Sequence, residues 1–283
     1  MTVGVVVMAY GTPSSPGEIE AYYTHIRRGR PPTAEQLADL RSRYDAIGGL
    51  SPLRRITEAQ RDRIASALGD GYHVELGYKH ASPFIEDAVA ALPSDVAGVV
   101  GVVLAPHYSR GSIGEYAERL GHRTIESWHD LPEWRSFQAT AVRDALRELP
   151  ARTTVLFTAH ALPERVLAGD RYPDELLASA TAIASEAGLD PGSWSLAWQS
   201  AGRTPEPWRG PDVLEVISSL DTDGVLVCPQ GFTADHLEVL YDLDIAARQH
   251  AERLGIAFAR TAMVNDDAVV LGAVAERVRT FCA

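Results

Sequence analysis

Short, unbroken apolar runs alternate along this chain with longer stretches of helical spacing. The runs VVVMA (5–9), VVL (102–104), VLF (155–157) and VLVC (225–228) are too short and too uniformly apolar for amphipathic helices. They read as strands buried on both faces. Shorter strands are expected at 73–78, 194–198 and 256–260. Between them, 33–47, 57–68, 83–92, 115–129, 134–149, 173–187, 211–220 and 234–254 carry apolar residues near a 3.6-residue period or good helix formers. Thr57 with Gln60 three residues on looks like a capping box, and Pro83 and Pro173 suit helix starts. Strand and helix in alternation predict an α/β fold with parallel sheets flanked by helices.

The strand ends repeat. VVVMAYGTP (5–13) and VLFTAHALP (155–163) both finish in Ala, a ring-bearing polar residue, two further residues and Pro, which sets Tyr10 opposite His160. VVLAPHYS (102–109) and VLVCPQGF (225–232) both stop at Pro, with His107 opposite Gln230. Two matches in the same order imply two similar α/β halves, residues 1–149 and 150–283. Ligands of open α/β sheets bind beyond the carboxyl ends of strands. Tyr10 and His160 are therefore expected on opposite walls of one cleft.

A histidine at a strand end is either a hydrogen-bonded structural residue or a group facing a ligand. The segment after strand 225–228 bears on the choice. In CPQGFTADHLEVLYDLDIAA, Thr233 or Asp235 suits a helix cap, and at α-helical spacing Asp235, Glu238 and Asp242 fall within about 60° of one another. Such a stripe is either a solvated acidic face or, beside a strand end, a place for a cation. For Asp235 the solvated reading is preferred. His160 with Glu238 would suit a first-row divalent metal and equally a proton transfer.

Composition narrows the classes. With 283 residues, 46% hydrophobic and 23% charged, the chain is ordinary globular protein. No apolar run is long enough for a membrane helix, and MTVGVVVMAYG lacks the marks of a leader; a soluble cytoplasmic protein is expected. A net charge of −12 argues against general nucleic-acid binding. Residues 21–55 nevertheless hold seven arginines against three acids, a basic island suited to carboxylate ligands. The single lysine, Lys79, lies outside any Gly-rich phosphate loop, and no nucleotide or serine-hydrolase motif is present. Cys228 is expected in the core. Two cysteines cannot build a disulfide framework or a four-cysteine metal site.

The stretches MAYGTP, YYTHIRRGRPP, RYDAIGGLSPL, GYKHASPFIEDAV, VVLAPHYS, AHALPERV, AWQSAGRTPEPWRGPDV and GFTADHLEVLYDLD together resemble ferrochelatases. The likeness is greatest to the soluble monomeric type acting on coproporphyrin III, and it runs from about residue 4 to about 275. The resemblance implies two Rossmann-like halves around a porphyrin cleft, and insertion of Fe2+ into a porphyrin with loss of two pyrrole protons. It implies His160 and Glu238 as catalytic and metal-binding residues. Tyr10 would lie on the other porphyrin face as an axial ligand to product iron, and Arg27, Arg43, Tyr44, Ser51 and Tyr116 would join it in contacting porphyrin. Fe2+ would be a substrate and no cofactor would be permanently bound. A monomer is expected, with possible transient contact to the next haem-pathway enzyme.

Departures from the family pattern matter too. The acidic row that continues one turn further in the family stops here at Asp242, because Ala246 holds the next position; Asp244 is expected to point elsewhere. The cysteines of a [2Fe–2S] cluster are missing. The basic HIRRGRPP stretch replaces an apolar lip, which suits a substrate with four carboxylates. His80 and His107 are expected to be structural histidines, and Trp198 and Trp208 packing residues.

Overall fold

The computed structural model describes residues 2–283. Its first half contains β1 (Val3–Ala9), α1 (Ile19–Ile26), α2 (Ala34–Ala46), α3 (Leu53–Leu68), β2 (Tyr72–Tyr78), α4 (Ile85–Ala91), β3 (Val99–Val103), α5 (Glu115–Leu120), β4 (Arg123–Ile125) and α6 (Pro132–Leu146). The second contains β5 (Thr153–His160), α7 (Glu164–Leu167), α8 (Tyr172–Ala187), β6 (Trp194–Gln199), α9 (Val213–Ser219), β7 (Gly224–Cys228), α10 (Arg248–Arg253), β8 (Ala257–Arg260) and α11 (Ala268–Cys282).

Two four-stranded sheets result, ordered β2-β1-β3-β4 and β6-β5-β7-β8. All pairings are parallel, so the expected pair of Rossmann-like halves is present. In each sheet the chain leaves the first strand toward one neighbour and then returns to the other side. That reversal opens a crevice at the carboxyl ends of β1 and β3, and again of β5 and β7.

Valine-rich β1 is buried almost throughout, as a strand covered on both faces must be. One continuous core joins Val5, Val7 and Ile64 of the first half to Phe157, Ala180 and Leu226 of the second. Two helices cross over to make it so. α6 packs on α8 and β7, while α11 packs on α3 and β3.

Some elements differ from expectation. Thr57 does not start a helix: α3 begins at Leu53, and the Thr57 hydroxyl lies a turn inside, donating back to Leu53 O at 2.8 Å. Pro83 precedes the capping residue Phe84, whose amide donates to Asp87 Oδ2 at 2.8 Å, whereas Pro173 does fall in the first turn of α8. The stretch 115–129 is a short helix followed by the three-residue strand β4, too brief to show a period. α1 and α11 are additions. α11 is rich in valine, a weak helix former, yet its Val270, Leu271, Val274, Ala275 and Val278 form one buried face.

Candidate active site

His160 is the last residue of β5 and pairs in register with Gln199 of β6. Its Nδ1 lies 2.5 Å from the Ala161 carbonyl, which accepts only, so Nδ1 carries the proton and Nε2 is directed elsewhere. Nε2 faces Glu238 Oε1 at 3.5 Å. The structure thus brings the two residues together. Gly231 helps: its amide donates to Thr158 O at 3.0 Å, and a Cβ there would stand 2.6 Å from that of Ala159. Only glycine lets the loop after β7 pass so close beside the His160 strand.

Glu238 opens a helix wider than an α-helix. Residues Val239–Ala247 close i→i+5 turns before α10 resumes ordinary geometry. With more than four residues per turn, Glu238 and Asp242 stack more nearly in line than on an α-helix. The expected three-carboxylate stripe is shorter than predicted, and neither suggested residue caps the helix. Thr233 donates instead to Leu104 O of the first half at 2.9 Å. Asp235 lies before the helix, accepts from Asn265 Nδ2 at 2.8 Å and pairs with Arg260 at 3.1 Å. Asp244 turns away as anticipated, receiving both Arg260 Nε and Nη2.

His236 is a site residue that sequence reasoning passed over. Its Nδ1 lies 3.0 Å from Ala234 O, and its Nε2 lies 3.6 Å from Glu238 Oε2. Glu238 therefore sits between two imidazoles. Its spacing of two from Glu238 hid the relation, because the turn before the helix folds His236 back.

The electrostatics of the pair follow from this geometry. Desolvation alone would pull the His160 pKa down; the Glu238 charge, a hydrogen bond to Glu238, the Ala161 carbonyl and Asp242 together outweigh it and lift it to about 9. For Glu238 desolvation pushes upward, and the His160 charge with hydrogen bonds from both imidazoles holds the carboxyl far below its usual range. Asp242 rises to about 6, chiefly by desolvation, against the pull of the Ser200 hydroxyl that donates to it at 2.5 Å. The His160 and Glu238 side chains still keep 33% and 39% of their surface accessible. Enclosed yet accessible groups line a cleft.

Tyr10 occupies the facing wall. It is 43% exposed, while enclosure by protein and then the charges of Glu238 and Glu115 keep its phenol protonated far above its usual range. Beside it stands His80, hydrogen-bonded within the first half. Its ring lies 4.6 Å from that of Tyr10 and its Nδ1 2.9 Å from His25 Nδ1. Burial first, then Lys79, drives its pKa down to about 3. His80, His25, Lys79, Arg28 and Arg119 border a cavity of about 950 Å3.

The remaining residues expected at the porphyrin are placed unevenly. Arg27 Nε donates to Arg30 O at 3.2 Å. Arg43 is engaged with acids, Asp39 at 3.1 Å and, across the cleft, Asp242 at 3.7 Å. Tyr44, Ser51 and Tyr116 are largely buried; the Tyr44 hydroxyl lies 3.3 Å from Thr12 Oγ1, and Ser51 Oγ accepts from Leu53 N at 3.3 Å. His107, Trp198 and Cys228 are buried, as expected.

The two walls obey one rule with unequal chemistry. Glu238 is the ninth residue after Pro229, and Glu115 is the ninth after Pro106. Glu115 is paired with Lys79 at 2.5 Å and Arg28 at 3.3 Å, whereas Glu238 faces two imidazoles. Counting from the strand-ending prolines would have revealed this pair. Among the described residues no three His, Cys, Asp or Glu are grouped to hold a metal ion, and no helix is long and apolar enough to cross a membrane.

Two Rossmann-like halves facing across a cleft, with an imidazole–carboxylate pair on one wall, define a protein of the chelatase class. The family model for ferrochelatase matches residues 2–281, and the chain belongs to the ferrochelatase family. It is 46% identical over 299 residues to a coproporphyrin III ferrochelatase of Geobacillus thermodenitrificans, covering 97% of this chain and 94% of the relative. It is 44% identical to one of Geobacillus kaustophilus, covering 98% and 95%. In fold it is similar to a multi-domain protein of Deinococcus radiodurans described as structurally similar to chelatases, with TM-score 0.53, 14% identity, and coverage of 98% of this chain and 54% of that one.

Proposed function

We propose that the protein inserts Fe2+ into coproporphyrin III, releasing the two pyrrole protons and giving the iron porphyrin. The observation that carries this reading is the His160 Nε2, aimed at Glu238 with its Nδ1 already occupied. A neutral imidazole and a carboxylate are sound donors for ferrous iron. Two protein donors, fewer than a resident metal ordinarily has, suit a cation that must be passed on.

The same residues serve proton removal. Each insertion frees two protons at the wall where iron arrives; the ionised Glu238 is free to accept one, and His160 can take one only after Nε2 has given up the proton it holds at neutral pH. Free-base porphyrin blocks its own centre with two in-plane N–H groups. Bending the macrocycle exposes them, at a cost of order 1–5 kcal/mol drawn from binding at the periphery. Arg27 and Arg43, with Ser51, Tyr44 and Tyr116, are the groups we assign to that peripheral binding, and Tyr10 is the axial partner of product iron. The arginine-rich segment favours a porphyrin with four carboxylates, in agreement with the names borne by the relatives. Iron is here a substrate; the buried Cys228 and the helix-end Cys282 are too few for a four-cysteine cluster. The reading extends to a cytoplasmic monomer that hands its product to the next enzyme of haem synthesis.

Anaerobic Fe2+ insertion, followed by absorption with coproporphyrin III and protoporphyrin IX side by side, tests it. Faster turnover of coproporphyrin III at limiting substrate is expected. Preference for protoporphyrin IX would discard the substrate, and tight binding of either porphyrin without turnover would make the protein a carrier.

A further inference from the structure

A loop of the second half, residues 200–210, reaches over the cleft to the first. At its start Ser200, held at φ +61°, donates its hydroxyl to Asp242 Oδ2. At its far end Glu206 receives Arg165, and Arg209 donates to Glu164 at 3.2 Å and through its amide to Leu162 O at 2.9 Å. Both ends are thus tied to the second half. Between them Arg203 crosses to α2, where its Nη2 lies 3.0 Å from Asp39 Oδ2. That oxygen already accepts from Arg43 Nε at 3.1 Å. One carboxylate oxygen is therefore gripped by two guanidiniums from opposite rims of the cleft.

We propose that Arg203 is a carboxylate-binding residue for the porphyrin periphery that selects substrates with four carboxylates over those with two, Asp39 holding the position between Arg43 and Arg203 that a substrate carboxylate takes. The inference rests on the function proposed above. The chemistry follows from where the acids stand on each ligand. Coproporphyrin III bears a propionate on every pyrrole ring, so its carboxylates leave the macrocycle on all sides. In protoporphyrin IX they leave from two adjacent rings only, and first-half arginines suffice. A second-half guanidinium beside Arg43 meets the additional acids. Arg203 and Asp39 keep 60% and 37% of their side-chain surface accessible. An ion pair so exposed is weak and yields readily to an incoming carboxylate, and the planar guanidinium can take that carboxylate by two hydrogen bonds.

The test compares wild type, Arg203→Ala and Asp39→Asn, each titrated with coproporphyrin III and with protoporphyrin IX by fluorescence quenching. Arg203→Ala is expected to weaken coproporphyrin III binding about tenfold, the worth of one charge-assisted hydrogen bond, and to leave protoporphyrin IX binding within about twofold. Asp39→Asn removes the competing carboxylate and should tighten coproporphyrin III binding. A wild type that prefers coproporphyrin III while Arg203→Ala keeps the same preference overturns this inference alone. A wild type that binds both porphyrins equally also overturns this inference, whereas the substrate reading falls only if turnover prefers protoporphyrin IX. If Asp39→Asn weakens coproporphyrin III binding as much as Arg203→Ala does, the contact is a structural latch and the inference also fails.

Discussion

His107 and Gln230, equivalent residues of the two halves, meet on one hydroxyl. His107 Nε2 lies 2.7 Å from Ser179 Oγ, and that hydroxyl donates to Gln230 Oε1 at 2.9 Å. Since the hydroxyl's other partners, Gln230 Oε1 and Leu176 O, both only accept, His107 donates through Nε2, and burial keeps the ring neutral by driving its pKa well down. All three side chains are buried. Ser179→Ala would leave a buried donor and a buried acceptor without a partner, and should cost roughly 2 kcal/mol. Denaturant unfolding checks this. A loss below about 0.5 kcal/mol would mean that the network relaxes around the gap.

His160→Ala and Glu238→Gln test the chemistry itself. Each should lower kcat for iron insertion by about 10²–10⁴-fold, while the porphyrin dissociation constant changes little, since neither belongs to the proposed carboxylate anchors. Equal loss of porphyrin binding and turnover would make His160 a structural residue.

The paired charges also set a pH dependence. With its pKa lifted to about 9, His160 carries a proton at neutral pH, and Fe2+ must compete with that proton for Nε2. The value of kcat/KM for iron should therefore rise with pH and level off near 9. Glu238→Gln removes the charge that lifts the imidazole, so the inflection should move to lower pH. An inflection unmoved in that variant would assign it to another group. The stability linkage has its own signs. The contribution of His160 is complete below its unfolded pKa of about 6.5 and is lost as pH rises through about 9, while that of Glu238 is present above the usual carboxylate range and is lost in acid.

Tyr10→Phe addresses the opposite wall. If the phenol is the axial partner of product iron, the absorption spectrum of the bound iron porphyrin should shift in the variant, with iron insertion largely retained. Superimposable spectra would remove that role.

Much of this was legible in the chain. The VVVMA and VLVC runs and the Tyr10/His160 repeat predicted two parallel sheets with groups at equivalent strand ends, because buried parallel strands leave an unmistakable apolar signature. The meeting of His160 with Glu238 was less legible, since it depends on the sheet order β5-β7 and on Gly231. Hidden altogether were features set by tertiary context. The wide helix after Glu238, the return of His236 toward that carboxylate, and the engagement of Arg43 by Asp39 and Asp242 have no local pattern. Thr57 shows the converse, a good cap motif overruled when earlier residues joined the helix and Tyr78 offered its hydroxyl at 2.9 Å.

The crossed helices constrain how a broad, flat ligand gets in and out. α6 leaves the first half to cover the second sheet, and α11 leaves the second to cover the first. Each half is thus wrapped by a piece of the other, like two hands with interlaced fingers. A hinge that parted them would pull Trp134 and Val274 out of the shared interior. Entry and exit of the macrocycle fall instead to the rim, to side chains and loops that can trade partners while the frame behind them stays shut.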